Sequence, residues 1–322
     1  MLHSKMKLLV ALVLLTFRNT DFSLAQQLQE GFYASTCPDA ESIVNSIVIE
    51  EASSDPTMAP ALLRLHFHDC FVQGCDGSIL ILGPNAENTS SNHQGLHGFE
   101  VIDRVKAQLE AACPGIVSCA DILAMVARDS VAFSGGPKYS VETGRRDGGS
   151  SDSSAAVNLP IADDSILVLK NKFLEKGLSD KDLVLLTGAH TIGTTACFFV
   201  TGRLYDPSGP DPAINPTFLP ELKSRCPKGG QNNVRLSLDH DSDQTFDTSL
   251  YSNIRGGFGV IKSDAVLYSD PSTRGIIDEY IASSTSMVGP VFEQDFAESM
   301  VRMGRLGEGS AGEIRRFCWA FN

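Results

Sequence analysis

Residues 64–78 contain the densest group of side chains in the sequence that could carry out chemistry. On a helix, Arg64 and His68 are four positions apart and share one face, with Phe67 beside them. A permanent cation next to a neutral imidazole suits a site that deprotonates one atom and stabilises charge on the neighbouring atom. The spacing therefore predicts an acid–base site on one side of this helix.

The same stretch continues into a loop that is rich in oxygen ligands. Asp69, Asp76 and Ser78 surround a tight glycine-containing turn, and its carbonyl groups add further hard oxygen atoms of the kind that calcium prefers. Cys70 and Cys75 can close this loop through a disulfide, although so small a ring contributes only roughly 2 kcal/mol by loop entropy. This loop is a candidate calcium site.

A zinc site built on His66 and His68 is an alternative for the same stretch. These histidines are two positions apart, so they face apart on a helix and cannot easily share an ion. A zinc hydrolase of this kind would be a colourless protein, so its visible absorption spectrum would identify it.

Three later stretches also contain residues with chemical potential. Residues 182–193 pass from an apolar segment through Gly188 to His190, which alone is typical of a helix C-terminus. Residues 238–247 form an acidic, hydroxyl-rich loop, and Asp264 follows in a short polar segment. Without further context, that loop would be typical of an exposed acidic surface.

The elements that position these residues are mainly helices. Apolar residues recur every three or four positions in several segments, whereas strand-like alternation is scarce. An all-α fold is therefore predicted, with long ordered loops where proline and glycine accumulate. The predicted helices cover residues 40–52, 99–112, 121–133, 164–178 and 292–303, with one more after Ser179, and the predicted loops cover residues 83–98 and 206–220.

The first 25 residues are predicted to be a signal peptide. Lys5 and Lys7 precede an apolar run over residues 8–17, and Ser23 and Ala25 supply the small residues before a cleavage site after Ala25. The apolar run is about ten residues long, whereas a membrane span needs roughly 20. We therefore expect an exported protein without a membrane span.

Composition narrows the class of protein further. The chain has 322 residues, 42% of them apolar, which suffices for a large core in one domain or two lobes. A net charge of -13 disfavours nucleic acid and anionic lipid as partners. The 8 cysteines predict four disulfides in an exported chain, with 105 possible pairings, and no C-x2-C pair indicates structural zinc.

Taken together, the motifs resemble the secretory plant haem peroxidases, also known as class III peroxidases. The resemblance runs from about residue 28 to residue 322, so it covers essentially the whole mature chain. An ordered series of motifs over this length is far more specific than any one of them. The matching segments are Phe32-Tyr33 with Cys37-Pro38, residues 64–78, 117–123, 144–147, 158–160, 188–193 and 312–315, and Cys318 with the terminal Asn322.

The resemblance implies a role for each matched residue around one haem b. His190 would bind the haem iron, and Asp264 would accept the hydrogen bond from its other ring nitrogen. His68 would take a proton from peroxide and return it to the departing oxygen, while Arg64 would stabilise charge during O–O cleavage. Two more residues would shape the pocket: Phe67 at the distal haem face and Pro160 along the donor channel.

The resemblance also implies two calcium ions and a specific disulfide pairing. The first ion would be held by Asp69, Val72, Gly74, Asp76 and Ser78, and by Glu87 through water. The second would be held by Thr191, Asp239, Ser242 and Asp247, with the carbonyl of Thr245. The disulfides would be Cys37–Cys113, Cys70–Cys75, Cys119–Cys318 and Cys197–Cys226.

A few positions depart from the family pattern. Ser242 stands where Thr is more usual and keeps the hydroxyl, so calcium binding should survive. Ala265 replaces a common Gln beside Asp264, and His97 stands where Arg is common. These differences bear on reactivity rather than on the fold.

One departure concerns the residue that orients the distal histidine. The family usually places an Asn in the loop before residues 96–99, and ungapped matching puts His93 there, with Asn92 one position early. We expect a one-residue shift that brings Asn92 into this position, because loops absorb such shifts and an amide carbonyl accepts at every pH. His93 is the alternative, and a histidine there accepts only while neutral, near an unperturbed pKa of about 6.5.

The sequence therefore predicts an all-α, two-lobed haem peroxidase, with a distal lobe over residues 26–160 and a proximal lobe over residues 161–322. Hydrogen peroxide would oxidise the haem by two electrons, and small phenolic or aromatic donors would return them one at a time. We expect a monomer in the extracellular space or cell wall rather than the vacuole, with a glycosylation acceptor at Asn88. The alternative is a non-catalytic haem- and calcium-binding wall protein, against which the intact Arg64 and His68 argue.

Overall fold

Helices dominate the computed structural model, which describes residues 27–240, 242–285, 289 and 291–322. The predicted all-α class is confirmed, since only short strands accompany the helices in this part of the chain. The predicted signal peptide, residues 1–25, lies outside the described residues. None of the helices described is both long and apolar enough to cross a membrane.

The helices and strands follow one another along the chain with short turns and a few long loops between them. The helices are α1 (Ala40–Ser54), α2 (Met58–Val72), α3 (Phe99–Ala112), α4 (Cys119–Phe133), α5 (Ile166–Glu175), α6 (Asp180–Thr187), α7 (Thr201–Tyr205), α8 (Leu219–Arg225), α9 (Ser249–Gly256), α10 (Lys262–Ala265), α11 (Pro271–Thr285) and α12 (Phe292–Gly304). The strands form two antiparallel pairs, β1 (Gln29–Glu30) with β2 (Glu142–Thr143) and β3 (Thr194–Ala196) with β4 (Arg235–Ser237).

Helix α2 lies at the centre of the N-terminal half. It packs mainly on α4, and most of its side chains are buried, including Leu62, Leu65 and Phe71. Helix α4 begins where the Ser118 side chain accepts a hydrogen bond from the backbone of Asp121. Because α2 is enclosed on nearly every side, its polar residues are held in fixed positions inside the molecule.

A second hydrophobic core lies in the C-terminal half, around α6. This helix begins with a capping box in which the side chains of Ser179 and Asp182 bond each other's backbone. Its apolar residues pack against α11 and α12, with Tyr251 and Phe292 among the buried aromatic side chains. A smaller cluster surrounds Cys197. Helix α6 therefore ends at a rigid point, immediately before residue 190.

The predicted helices are present, with different ends in places. Helix α5 begins at Ile166 rather than at residue 164, because the side chain of Ser165 accepts a hydrogen bond from the backbone of Val168 and caps it. The predicted loop over residues 206–220 ends earlier than expected, because α8 begins at Leu219. Helix α11 was not predicted, since Pro271 and Gly275 obscure its pattern; proline is tolerated there because it occupies the first helical position.

Four disulfides hold these elements together, and their pairing is the one that the resemblance implies. Cys119–Cys318 joins α4 to the C-terminal segment, and Cys37–Cys113 joins the segment before α1 to the end of α3. Cys70–Cys75 closes the loop after α2, and Cys197–Cys226 closes the small cluster. The described residues include no free cysteine.

The disulfides should differ in their contribution to stability. Cys119 and Cys318 are 199 residues apart, whereas Cys70 and Cys75 are only 5 apart. By loop entropy, replacing the first pair with serine should lower the free energy of unfolding by about 5 kcal/mol, against about 2 kcal/mol for the second. Urea unfolding of the two double variants measures this difference. Equal losses would contradict the loop-entropy account.

Candidate functional site

Helix α2 places Arg64 and His68 one turn apart, as the sequence predicts. His68 is only 4% exposed, and burial, Arg64 and a second histidine all lower the pKa of its imidazole well below the usual value. His68 is therefore neutral near pH 7 and can offer a lone pair. Burial and Arg235 lower the pKa of Arg64 to about 10, so the guanidinium keeps its charge at that pH.

The loop before α3 holds both of these side chains. Nδ1 of His93 lies 2.8 Å from Nδ1 of His68, and both rings are buried. The next residue, Gln94, accepts a hydrogen bond at 3.2 Å through its carbonyl from Nη2 of Arg64. A short 3-10 turn, Ser91–His93, forms this part of the loop. One turn thus orients the candidate base and its neighbouring cation together.

The expectation that Asn92 orients His68 is wrong. Nδ2 of Asn92 instead donates a hydrogen bond to the carbonyl of Ala156 at 2.9 Å, and its backbone N–H donates to the side chain of Ser90. These two bonds anchor the 3-10 turn in a register that presents His93 to helix α2. A one-residue shift would break both bonds, so the loop does not absorb it.

On the other side of the site, the segment after α6 presents His190. A side chain at Gly188 would lie 2.7 Å from the Tyr251 hydroxyl and 2.9 Å from the Phe292 ring, so this close turn requires glycine. Nδ1 of His190 lies 2.8 Å from Oδ1 of Asp264, whose carboxylate is fully buried. Burial lowers the pKa of His190 and Asp264 raises it, and the net direction is upward.

The exposure of the His190 side chain and the electrostatic effect of Arg64 on it indicate an internal gap beside these two residues. The His190 side chain is 37% exposed although it lies deep in the molecule, and the charge of Arg64 is close enough to lower its pKa. Nδ1 of His190 faces Asp264, so Nε2 is the nitrogen available to a ligand. Phe67 and Pro160 are both half-buried. An imidazole paired with a carboxylate, facing a cation across a gap, fits the binding of haem iron.

The predicted first calcium site lies directly beside His68. Asp69 is fully buried, and its Oδ2 accepts from the backbone of Gly77 at 3.0 Å. The hydroxyl of Ser78 lies within hydrogen-bond distance of Asp76 and, at 2.9 Å, of Oε2 of Glu87. A side chain at Gly74, where φ is +104°, would lie 2.7 Å from the Cα of Gly307, so only glycine fits there.

The charges of this loop favour a cation. Burial, Asp76 and Glu87 raise the pKa of Asp69 well above its usual value, and burial also raises the pKa values of Asp76 and Glu87. Oδ1 of Asp69 and Oε1 of Glu87 are buried and have no hydrogen-bond partner among the described residues. Clustered carboxylates with unpaired oxygens fit a calcium ion, which would favour their charged form.

The predicted second calcium site adjoins His190. The Thr191 hydroxyl contacts Oδ2 of Asp239 at 3.1 Å, and the carbonyl of Thr245 and Oδ1 of Asp247 at 3.4 Å each. Ser242 is half-buried in the same loop. The structure therefore gathers hydroxyl, carboxylate and carbonyl oxygens around one point, a donor set that fits calcium.

Sequence reasoning missed several residues around these loops. The hydroxyl of Ser249 lies within hydrogen-bond distance of both Asp239 and Asp247, and Nδ2 of Asn253 donates to Asp239, so α9 supports the loop of the second calcium site. Lys176 donates to the carbonyl of Val72 at 2.9 Å beside the first loop. Of these residues, only Ser249 could have been found from the sequence, because a serine two residues after an aspartate commonly donates a hydrogen bond to the aspartate side chain.

His66 faces away from His68. Its Nδ1 lies 3.6 Å from the sulfur of Cys70, and both Cys70 and Cys75 are in a disulfide, so this group offers no thiolate to a metal. His68 points to His93 instead. The zinc alternative therefore lacks its pair of ligands. Burial and Arg145 lower the pKa of His66 to about 3, which makes it a neutral core residue at pH 7.

Two other positions named from the sequence, Asn88 and His97, lie in the loop before α3. Asn88 is half-buried, and its Nδ2, the atom that a glycan would modify, donates to the carbonyl of Ile81 at 2.9 Å. His97 is exposed, with Nδ1 3.3 Å from the carbonyl of Gly95. His97 is therefore outside the buried contacts that hold His68 and Arg64.

Comparisons with known proteins point to one family. A family model described as peroxidase matches residues 44–283. Peroxidase 43 of Arabidopsis thaliana is 53% identical over 326 aligned residues, which cover 99% of each chain. Peroxidase 13 of the same plant is 53% identical over 316 residues, 97% of this chain and 98% of its own. Peroxidase N1 of Nicotiana tabacum is 48% identical over 326 residues, 99% of this chain and 98% of its own.

The buried neutral His66 should make stability depend on pH. Its pKa is about 3 in the folded protein and about 6.5 when unfolded, so the unfolded chain binds the extra proton between these values. Stability should therefore fall as pH falls below about 6.5. In His66→Gln, the pH slope of the free energy of unfolding between pH 6 and 4 should be smaller by about 1.4 kcal/mol per pH unit.

Urea unfolding of the wild type and His66→Gln at several pH values measures this slope. At pH 8 the histidine is neutral in both states, so the difference between the two proteins there gives the effect of lost packing alone. Equal slopes for the two proteins would show that His66 is not held neutral in the folded state.

Proposed function

The chain belongs to the class III family of plant haem peroxidases, and from this premise we propose that Arg64 and His68 activate hydrogen peroxide beside a haem b bound by His190. Small phenolic or aromatic molecules would be the electron donors. Overall, one peroxide and two donor molecules would give two waters and two donor radicals, each donor losing one electron and one proton.

One observation carries this proposal: His68 is buried, neutral and held by a hydrogen bond one helical turn from Arg64. A neutral imidazole can accept the proton that leaves peroxide and return it to the departing oxygen. The guanidinium beside it stabilises the negative charge that develops on that oxygen. Since Gln94 and His93 hold both side chains, neither has to reorganise during the reaction.

The residues on the opposite side fit the cofactor. When bound, haem supplies the iron that exchanges electrons with peroxide and donor. Asp264 accepts a hydrogen bond from the Nδ1–H of His190, which leaves Nε2 as the ligand atom and increases the basicity of the imidazole. Phe67 would cover the distal haem face, on the side of His68.

Donors would approach near Pro160. This residue is half-buried, and Val157 and Ile161 close to it are exposed apolar side chains. An apolar rim of this kind suits the ring of a small phenol, whose hydroxyl can remain hydrated. We therefore place the donor site at this edge of the gap.

Two calcium ions would complete the site. The first would be bound by Asp69, Asp76, Ser78 and the carbonyls of Val72 and Gly74, with Glu87 through water. The second would be bound by Thr191, Asp239, Ser242 and Asp247 with the carbonyl of Thr245. Each ion would fix the backbone next to a functional histidine, because Asp69 follows His68 and Thr191 follows His190.

We further propose that the protein is exported as a monomer to the extracellular space or cell wall after loss of residues 1–25. The four disulfides support an oxidising compartment. The distal lobe would comprise residues 26–160 and the proximal lobe residues 161–322. A glycan on Asn88 would have to be added before folding, since its Nδ2 bonds Ile81 in the folded chain.

Replacing His68 by Leu tests the proposed function. The variant should react with peroxide roughly 10²–10⁴-fold more slowly, because the buried base is gone, while donor affinity changes little. Rapid mixing with one equivalent of peroxide measures the rate of the peroxide step, and steady-state kinetics measure the donor affinity. His97→Leu is the matched control, since His97 is exposed and should react like the wild type. An unchanged peroxide step in His68→Leu would rule out this base.

Removal of calcium tests the two ion sites. Chelation should lower the melting temperature and the rate of the peroxide step together, because both histidines lose a fixed neighbour, and added calcium should restore both. Thermal unfolding and rapid mixing before and after metal removal measure the change, with the bound calcium counted by elemental analysis. If complete removal alters neither property, the calcium assignment is wrong.

A further inference from the structure

We infer that His93 is a positioning residue: its buried contact with Glu87 places its proton on Nε2, which makes its Nδ1 the acceptor that orients His68. The inference rests on the proposed function only in taking His68 as the base that acts on peroxide. It assigns the orienting role to an imidazole and a carboxylate acting together, instead of a single amide.

The rings of His68 and His93 contact each other directly. The Nδ1 atoms of His68 and His93 are 2.8 Å apart, which is hydrogen-bond distance, so one of them carries a proton and the other a lone pair. Each neutral imidazole has a single ring proton. Two arrangements therefore exist: either His68 donates from Nδ1 and keeps a lone pair on Nε2, or His93 donates and His68 carries its proton on Nε2.

The contact of His93 with Glu87 selects between these arrangements. Nε2 of His93 lies 3.6 Å from Oε1 of Glu87, and both side chains are fully buried. Neither atom has a hydrogen-bond partner among the residues that the structure describes. At this distance the interaction is electrostatic attraction rather than a short hydrogen bond. A proton on Nε2 is attracted by the carboxylate, whereas a lone pair there would be repelled with no water to relieve it.

Glu87 is held in place to make this contact. Its Oε2 accepts from the hydroxyl of Ser78 at 2.9 Å, and its backbone N–H donates to the side chain of Ser151 at 2.9 Å. Oε1 is thereby left facing the His93 ring. A calcium ion in the adjoining loop would favour the ionised carboxylate, so the contact acts in the calcium-loaded protein.

The proton position on His93 in turn fixes the proton position on His68, because the two Nδ1 atoms share one hydrogen bond. With its proton on Nε2, His93 can only accept at Nδ1, so His68 donates from Nδ1 and exposes the Nε2 lone pair to the gap beside Arg64. In the opposite arrangement, His68 would present an N–H to the substrate, and a protonated nitrogen cannot accept a proton. An amide in this position would orient His68 without help, whereas an imidazole depends on Glu87 to do so.

Nitrogen NMR of the histidines tests the arrangement directly. The calcium-loaded holoprotein, labelled with ¹⁵N-histidine, would be reduced and saturated with carbon monoxide so that the iron is diamagnetic. Long-range proton–nitrogen correlations should show His93 protonated on Nε2 and His68 protonated on Nδ1. The reverse assignment for either ring would overturn the inference, whatever the enzyme's activity.

Variants test the role in the peroxide step. His93→Leu should slow this step roughly 10–100-fold, since the base loses its orienting partner. His93→Asn should restore most of the rate, because the amide carbonyl accepts from His68. His97→Leu is the matched control and should react like the wild type, because His97 is an exposed histidine outside these buried contacts. Haem absorption and calcium content, measured for each, separate orientation from misfolding.

A double-mutant cycle isolates the contribution of Glu87. Glu87→Gln should slow the peroxide step when residue 93 is His, but far less in the His93→Asn background, where the amide needs no help. Equal losses in both backgrounds would mean that Glu87 acts only through calcium, and would overturn its assigned role. A wild-type protein that fails to react with peroxide would instead refute the proposed function, while the NMR assignment would still decide the proton positions.

Discussion

The structure depends most on one hydrogen bond, between the Nδ1 atoms of His68 and His93. A histidine buried among apolar side chains is useful as a base only if its lone pair faces the substrate, and this contact decides which nitrogen carries the proton. The central position of α2 makes the arrangement rigid. Nearly all of that helix is enclosed, so its base, its cation and its buried carboxylate keep a fixed geometry.

The same loop serves several purposes at once. Its 3-10 turn, Ser91–His93, orients His68 through the side chain of His93, and the carbonyl of the next residue, Gln94, orients Arg64. Asn92 fastens the turn to the segment that precedes Pro160, where we place the donor site. Glu87 connects it to the carboxylates that fit calcium. A change in this loop is therefore expected to reach base, cation and ion site together.

The fold could be predicted from the sequence to a large extent, because helix period and capping residues are local signals. The capping box at Ser179 and the helix over residues 99–112 are examples. Helix α11 was missed, since its Pro271 and Gly275 are ordinary helix breakers that its position and packing tolerate. The disulfide pairing came from family resemblance alone, because spacing leaves 105 alternatives.

The site could be predicted only where the pattern is local or shared with the family. Thr191, Asp239 and Asp247 gather as that resemblance implies. The orienting residue of His68 was wrongly predicted, because the choice depends on a distant bond from Asn92 to Ala156 that no local pattern reveals. The contact of His93 with Glu87 could not be predicted from a local pattern either, because it depends on the three-dimensional path of the loop.

The visible absorption spectrum of the purified protein tests the central claim most directly. We predict one Soret band per chain in the wild type, a change in that band on addition of one equivalent of hydrogen peroxide, and its return when a phenol is added. In His190→Ala, the band should be absent or severely weakened, because the iron has lost its protein ligand. A colourless wild-type protein, a spectrum that peroxide leaves unchanged, or a His190→Ala variant with normal haem content and turnover would contradict the account.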